Sequence, residues 1–426
     1  MTGTGPAAPA AGLLRGLPPL PRLLIGTQFA FNIGFFAVLP FLTAHLGGTL
    51  ALAGWLVGLV LGLRTFSQQG LFVVGGTLTD RFGPRPVVLA GCALRVAGFT
   101  WLGFAQDTWA VIGSVLLVGF AAALFSPAVE TETVRQAVLH EAATGVARTR
   151  VLALFNAAGQ AGALLGPPLG AALLPIGFRA ACLAGAGVFV VVFLGHLRLM
   201  PCTPAKSPAD TLASAPGGAR AVLRNRRFLA LCAAYGGYLI VYNQLYLALP
   251  QEVERATGGQ AALGWLFTLS SVLVIAGQLP VSRWAARRLS PRTAMLLGLL
   301  LMAAGSLAAA ALLPVRAFGG LGPSLVFVVL LSVGQMLVVP AARAWVPDLT
   351  DDRHLGLGVG ALSSSAGLLV LVGSAPLGAL FGRGGVLPWL ALAAVPAAAA
   401  LCLPGRSGPM RPGFSKVGAS TAGNPR

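Results

Sequence analysis

Twelve long apolar stretches constrain this sequence more than any other feature. Each has roughly 17 to 26 residues, and a helix needs about 20 to cross a bilayer. The stretches cover residues 23–44, 52–75, 87–105, 109–129, 151–174, 180–197, 228–249, 262–281, 293–313, 324–342, 355–380 and 387–403. Because unpaired backbone groups are too costly in lipid, such stretches cross membranes as helices. The sequence therefore predicts an all-α integral membrane protein with twelve transmembrane helices.

Composition supports this prediction and excludes other classes. The chain is 56% hydrophobic and 9% charged, whereas a soluble domain carries about 25% charged residues. The net charge of +18 does not indicate nucleic-acid binding, because the basic residues lie in short loops between apolar stretches. The five cysteines and four histidines are scattered, so we expect no disulfide, no metal site and no cofactor.

The basic residues also predict the orientation. With the N-terminus placed in the cytoplasm, 23 of the 29 lysines and arginines fall in cytoplasmic segments and four in outside loops. The remaining two, Arg64 and Arg95, lie inside apolar stretches. Because basic loops stay on the cytoplasmic side, we expect a multi-pass protein of the cell membrane with both termini in the cytoplasm.

Four short segments of the first half return in the second half at offsets of 210, 210, 207 and 208 residues. The pairs are 36–40 with 246–250, 54–56 with 264–266, 81–85 with 288–292, and 166–171 with 374–379. They predict a duplicated six-span unit. The predicted domains are a cytoplasmic tail at 1–22, a six-helix bundle at 23–197, a linker at 198–227, a second six-helix bundle at 228–403 and a tail at 404–426.

A charged stretch at 76–86 separates the second and third apolar stretches. It begins Gly-Thr-Leu-Thr-Asp-Arg-Phe-Gly, and Gly76 and Gly83 favour a close backbone approach and a sharp reversal. In the second half, Arg287 takes the place of Asp80. The acid therefore occurs in only one of the two copies.

This stretch resembles the loop signature that follows the second helix in the major facilitator superfamily. The matching residues are Gly76, Leu78, Asp80, Arg81, Gly83 and Arg85. A Gly-Pro motif of the superfamily's antiporters is similarly resembled by Gly162, Gly166, Pro167 and Gly170. The chain departs from the family at Pro84, where the family usually has arginine, and near Val115, where its fourth-helix arginine is absent. The segment 64–70 together with Arg95 resembles the MdtH-type branch of drug:proton antiporters.

The resemblance implies two pseudo-symmetric six-helix bundles that rock about a central site. It also implies that the charged stretch latches the two halves on the cytoplasmic face. Asp80 would face the start of the eleventh helix near Leu355, where the helix dipole favours an acid. The candidate ion pairs join Arg81 or Arg85 to Glu130 or Glu132.

A stripe of small residues recurs every four positions in the fifth stretch, at Ala158, Gly162, Gly166 and Gly170. Such a stripe lets another helix approach closely. We expect the eleventh helix, with Ser374, Pro376 and Gly378, to be that neighbour and to seal the outer side. Ordinary helix packing without gating is the alternative.

All four tyrosines lie in the seventh stretch and occupy a roughly 80° arc of a helix at 100° per residue. They are Tyr235, Tyr238, Tyr242 and Tyr246. Hydroxyl groups that faced lipid would stay unsatisfied, so this arc should face a cavity or another helix. With the family's cavity in mind, further candidate lining residues are Gln28, Asn32, Phe35, Arg64, Phe120, Asn156, Gln160, Asn243 and Gln335. Such a cavity suits a bulky, amphipathic organic substrate; hydrogen bonding between helices is the alternative for each polar residue.

The residues that would couple transport to a source of energy are less evident in the sequence than those of the cavity. No acid lies in the middle of a predicted span, and the first helix offers Gln28 and Asn32 where proton-coupled relatives often carry one. Glu130 or Glu132 would carry protons if the fourth helix is longer than its apolar stretch. The two intramembrane arginines are candidate functional residues: Arg64 to meet an anionic group, and Arg95 to cap backbone carbonyls.

These observations predict a secondary active transporter, not an enzyme, that exports hydrophobic or amphipathic small molecules at the expense of proton influx. The alternatives are a metabolite or organic-anion transporter, a facilitator without proton coupling, and a channel. An integral-membrane enzyme would need clustered histidine, cysteine or acidic residues, which the sequence lacks. The expected partners are the lipid bilayer, a small-molecule substrate and protons, with no nucleic acid, and the expected state is a monomer.

Overall fold

The protein is described by a computed structural model over residues 14, 16–201, 224–315, 317–350 and 355–403, with the side chains of 317 and 355–357 also left out. Most of the predicted linker and the whole predicted C-terminal tail lie outside these residues. Within them the secondary structure is helical, without a strand. The domain boundaries at 198, 228 and 404 therefore stay predictions.

Twelve long helices follow one another in the described part of the chain. They are α1 Pro19–Thr49, α2 Gly54–Phe82, α3 Pro84–Phe104, α4 Thr108–Thr144, α5 Arg148–Leu173, α6 Phe178–Leu199, α7 Arg226–Thr257, α8 Ala261–Arg288, α9 Pro291–Leu312, α10 Gly322–Leu349, α11 Leu355–Arg383 and α12 Leu387–Leu401. Ten are long and apolar enough to cross a membrane by length and composition. The other two are α5 and the 15-residue α12.

The helix α5 is long enough to cross a bilayer, with 26 residues, but polar residues interrupt its apolar stretch. Asn156 and Gln160 are both solvent-exposed and line a central cavity. A polar face of this kind is tolerated inside a membrane where it borders a cavity rather than lipid. Its lower apolarity therefore reflects its position in the bundle.

Several helices extend beyond their apolar stretches. The helix α2 continues through Asp80 to Phe82, and α4 continues past Val129 to Thr144. The charged stretch is therefore almost wholly helical and forms the last turns of α2 and the first turn of α3. The reversal occurs at Gly83 alone, whose φ of 81° suits glycine. Charged residues continue a helix where it leaves the lipid, so an apolar stretch ends before its helix does.

The close backbone approach expected at Gly76 occurs one residue earlier. A methyl group on Gly75 would overlap the backbone carbonyl oxygen of Ala123 in α4, whereas nothing lies within 4 Å of the same position on Gly76. The helix face that meets α4 contains Gly75, which is buried. The expectation was therefore wrong by one position, which is 100° of helix rotation.

The small-residue stripe of α5 packs against α1, not against α11. Added methyl groups on Gly162 and Gly170 would overlap the backbone of Phe29 and Ala37. The expected partner α11 instead packs against α2, where Gly58 lies against Ser374. The predicted α5–α11 contact is wrong because small residues show that a helix is approached closely without showing by which helix.

Several pairs of helices join the two halves of the chain, and three of them are in close contact. The pair α2 and α11 crosses with Gly54 against Gly378, and α5 and α8 meet with Gly264 near Ala171. The third pair is α1 and α7, where the Thr43 hydroxyl donates to the Tyr246 carbonyl. The first two of these contacts lie at the predicted outer ends of their helices.

Candidate functional site

A cavity of about 280 Å³ lies between the two halves. Seven of the residues that the sequence predicted for the site line it: Gln28, Asn32, Asn156, Gln160, Tyr242, Tyr246 and Gln335. Five of the seven are neutral amides and two are phenols. None of the described residues that line it is acidic or basic. The cavity thus offers aromatic surface and neutral hydrogen-bonding groups.

The sequence did not predict the contribution of α8. Phe267, Ser270, Ser271 and Val274 line the cavity from this helix. The Ser270 hydroxyl is hydrogen-bonded to that of Ser332 in α10 at 2.8 Å. Two adjacent serines inside an apolar stretch were the available signal, because polar groups within a span face the protein interior. The other lining residues that were not predicted are Phe36, Gly159, Ala163 and Leu245.

Six predicted cavity residues do not line this space: Phe35, Arg64, Phe120, Tyr235, Tyr238 and Asn243. Phe35 and Arg64 border a second, smaller cavity within the first half. Phe120, Tyr235 and Tyr238 pack against or within the hydrophobic core. Residues that share an arc of one helix can therefore differ in what they face, because neighbouring helices cover part of that arc.

The four tyrosines of α7 form a continuous row. The ring centroids of successive tyrosines are 5.2, 5.9 and 6.1 Å apart. Phe267 of α8 extends the row, with its centroid 5.5 Å from that of Tyr246. Aromatic pairs at these separations attract each other. The row ends at the central cavity, since Tyr242, Tyr246 and Phe267 line its wall.

Asn243 takes part in a polar chain that links the two halves. The Thr65 hydroxyl of α2 is hydrogen-bonded to Asn243 Oδ1 at 3.0 Å, and Asn243 Nδ2 donates to the Ser374 hydroxyl of α11 at 3.4 Å.

A separate hydrogen bond also joins α11 to α2: the Ser364 hydroxyl donates to the carbonyl of Gly70 at 2.9 Å. Gly70 ends a π-helical segment, Phe66–Gly70. Segments of this kind interrupt the regular hydrogen-bond ladder and recur at functional sites.

Three of the predicted latch residues have defined contacts. Buried Glu132 binds Arg135, one turn away on the same helix, with its two closest contacts at 2.7 and 2.9 Å. Arg85 donates to the carbonyl of Leu197 at 2.9 Å, and Arg81 lies over the ring of Phe82. Glu132 is therefore bonded within α4 and not to Arg81 or Arg85. Asp80 was expected to face the start of α11 near Leu355, where the side chains of residues 355–357 are outside the described part of the structure.

Glu130 is exposed on the extension of α4. Although the residue as a whole is exposed, desolvation raises the pKa of its carboxyl, and the positive charge of Arg343 of α10, in the other half, opposes that rise. Opposite charges on the two halves attract each other.

Arg64 and Arg95 are both buried in the first half. Four phenylalanine rings surround the Arg95 guanidinium, with their centroids within 5.3 Å of its central carbon, and Arg64 lies 4.5 Å from the Phe35 centroid. Each cation–π contact contributes about 0.5–2 kcal/mol. Burying one ion costs several kcal/mol. The Arg95 Nη1 atom donates to the Val118 carbonyl at 2.8 Å, in agreement with the expected capping role.

A sequence model of the Major Facilitator Superfamily matches residues 23–253 and 238–421 of this chain. The chain belongs to this superfamily. It is therefore a multi-pass membrane transporter with the superfamily's all-helical fold of two six-helix halves.

Curated members of the superfamily are similar over most of their length. An uncharacterized MFS-type transporter of Mycobacterium tuberculosis is 36% identical over 376 residues, which are 87% of this chain and 88% of that one. The multidrug resistance protein MdtH of Salmonella typhimurium is 30% identical over 367 residues, covering 84% of this chain and 87% of MdtH.

Solved superfamily structures have the same fold at low identity. The nucleoside transporter NupG superposes with a TM-score of 0.75 at 14% identity, covering 90% of this chain and 98% of that one. A POT family transporter in complex with 5-aminolevulinic acid gives a TM-score of 0.75 at 12% identity, covering 91% and 97%. At these identities the likeness concerns the fold alone.

Proposed function

We propose that this superfamily member exports hydrophobic or amphipathic small molecules in exchange for protons. It would do so from the cell membrane, with both termini in the cytoplasm. The single observation that carries the substrate class is the cavity wall of amides, phenols and phenylalanines between the two halves. Such a wall binds aromatic and weakly polar molecules and offers no opposite charge to an ionic one.

The comparison with MdtH supports the export of drug-like molecules, because a multidrug resistance protein is 30% identical to this chain. Alternating access would require that the cavity opens to one side at a time. The glycine contacts of α2 with α11 and the contact of α5 with α8 join the halves at their predicted outer ends. We infer that separation of these contacts opens the outer side.

For the cytoplasmic latch we propose the residues Gly76, Asp80, Arg81, Gly83 and Arg85. Their position at the end of α2 and the start of α3 supports this role. A latch must form and release within one transport cycle, so each of its contacts should contribute only a small free energy. A carboxylate at a helix N-terminus contributes about 0.3–2 kcal/mol, which meets that requirement.

For proton coupling we propose Glu130 as the carrier. It is exposed, and its charged partner Arg343 lies in the other half. Glu132 is a weaker candidate because Arg135 and Gln136 already bind its carboxylate. A proton on Glu130 would weaken its attraction to Arg343 and so favour separation of the halves.

The test is transport by the purified protein in proteoliposomes with an imposed pH gradient, screened over amphipathic dyes and organic anions. We expect dye transport that follows the direction and size of the gradient. The Glu130→Gln variant should transport dye but lose the dependence on the gradient, while Glu141→Gln serves as a matched control on the same helix. Transport that is indifferent to the gradient would contradict proton coupling, and failure to move any dye would contradict the substrate class.

A further inference from the structure

Two buried arginines of the first half share one aromatic ring. The Arg64 and Arg95 side chains are 6% and 1% exposed. Their central guanidinium carbons lie 4.5 and 5.3 Å from the centroid of Phe35. Arg64 comes from α2 and Arg95 from α3, so the bundle brings together two positive charges that are distant in sequence.

Several nitrogen atoms of this pair have no hydrogen-bond partner. They are Nε of Arg64 and both Nε and Nη2 of Arg95. Neither arginine forms an ion pair with any carboxylate among the described residues. The hydrogen bonds that the two side chains do make have neutral acceptors: Arg64 donates to Gln68, and Arg95 donates to the Val118 carbonyl. Buried N–H groups and buried charges are normally satisfied, so these nitrogens call for an acceptor.

A small cavity lies beside the pair. It has a volume of about 10 Å³, and Arg64, Phe35 and Phe99 are among the residues that line it. The Arg95 guanidinium stands over the same two rings. A space of this size holds about one water-sized group. The cavity is separate from the central one, since Phe35, Phe99 and Arg64 do not border the latter.

We propose that Arg64 and Arg95 hold a small monovalent anion in this cavity. The anion would accept hydrogen bonds from the unpartnered nitrogens and neutralise part of the buried charge. A halide ion is close to the size of this space, and the carboxylate of a small organic acid has the same charge and acceptor chemistry but needs more room. Apart from Arg64, the described residues that line this cavity are two phenylalanines and six valines and leucines, so no other lining side chain would hydrogen-bond the anion.

The site borders the transport machinery without being part of the main cavity. Arg64 directly precedes Thr65, whose hydroxyl is hydrogen-bonded to Asn243, and Asn243 directly follows Tyr242 of the cavity wall. An anion bound to Arg64 would therefore change the charge one residue away from this link between the two halves. The inference itself does not depend on which molecule the protein transports, because anion binding can be measured without transport.

The experiment measures binding of ³⁶Cl⁻ to the purified full-length protein in nanodiscs, at constant ionic strength with gluconate as the replacing anion. We expect saturable binding that bromide displaces. Arg64→Gln and Arg95→Gln should each weaken it at least about tenfold, as expected for loss of a charged hydrogen-bond donor. Arg179→Gln is the matched control, because Arg179 also stacks on a phenyl ring, that of Phe104, but is exposed. The Arg179→Gln variant should bind ³⁶Cl⁻ with the affinity of the wild type.

A second measurement separates the two sources of anion and covers variants that fail to fold. Bound ligand stabilises the folded state, so chloride or acetate should raise the unfolding temperature of the wild-type protein relative to gluconate. A rise with acetate but not chloride assigns the site to a carboxylate, and a rise with chloride assigns it to a halide. The variants Arg64→Lys and Arg95→Lys keep the charge and lose the planar fork, and should show smaller rises. No saturable binding and no rise with either anion would overturn the proposal, as would equal loss of binding in Arg179→Gln.

Discussion

At the scale of single residues, surroundings differ sharply between neighbours in α2. Gly75 lies against the carbonyl of Ala123, whereas Gly76 has no neighbour within 4 Å of an added methyl group. Both are glycines in an apolar helix, and their roles follow from the side of the helix that each occupies. Gly75 permits packing against α4, and the helical position of Gly76 does not require a glycine.

We expect Gly75→Ala to lower the stability of the protein by about 1–3 kcal/mol, because the added methyl group must push α2 away from α4. Gly76→Ala should be neutral or stabilising by up to about 1 kcal/mol, since alanine favours a helix over glycine. Thermal unfolding of the purified variants in detergent compares the two. Equal stability of both variants would show that α2 and α4 are not packed in this way.

Asp80 is the residue on which the proposed latch depends. We expect Asp80→Asn to abolish dye transport and to leave expression and unfolding temperature unchanged, because the substitution keeps the shape and removes the charge. The control is Asp107→Asn, since Asp107 accepts from Ala110 N at 2.9 Å as a helix cap and asparagine caps equally well. Full activity of Asp80→Asn in vesicles would remove Asp80 from the latch.

At the scale of helices, small residues were visible in the sequence but their partners were not. The stripe in α5 does accept a close neighbour, and that neighbour is α1. Similarly, the tyrosine arc of α7 was predicted from periodicity, and two of its four members reach the cavity. Periodicity gives the face of a helix, whereas contact requires knowledge of the helix opposite.

The contact of α5 with α8 can be tested by cross-linking. A Cβ atom on Gly264 would lie 3.3 Å from that of Ala171, close to the spacing found in disulfides. In a background with Cys202 and Cys402 replaced by serine, the pair Ala171→Cys and Gly264→Cys should cross-link on oxidation and block transport. The cross-link blocks transport because the two helices belong to halves that must separate. Reduction of the disulfide should therefore restore transport.

A cross-link inside one half is the matched control. Gly103→Cys places a thiol on α3 next to Cys182 of α6, with the added Cβ atom 3.1 Å from that of Cys182. This bond should form and leave transport intact, since both helices belong to the first half. Continued transport by the oxidised Ala171–Gly264 pair would contradict opening at this end.

At the scale of the whole molecule, the predicted orientation in the membrane rests on the 23 of the 29 basic residues that fall in the predicted cytoplasmic segments. We expect a fluorescent protein fused after Arg426 to fluoresce, and alkaline phosphatase fused there to be inactive, because both report a cytoplasmic C-terminus. Phosphatase fused after Gly258, in the loop between α7 and α8, should be active. The opposite pattern at both positions would invert the predicted topology.

The fold was largely predictable because a bilayer imposes strong local rules. All twelve predicted stretches coincide with helices, and the superfamily match confirms the class of fold. Helix ends were predicted less well, as α2 and α4 show, because charged residues end an apolar stretch without ending its helix. About half of the predicted cavity residues line the cavity, and the α8 residues were missed.

The sequence by itself determined the number of spans, the duplication, the expected orientation and the residue types available for a site. These properties are local, since hydrophobic length and charge position act through lipid and water. Only the tertiary structure decided which helices pair, that Gly75 rather than Gly76 meets α4, and that Arg64 lies beside Arg95 instead of in the main cavity. Such contacts depend on packing between segments far apart in the chain, which no local pattern encodes.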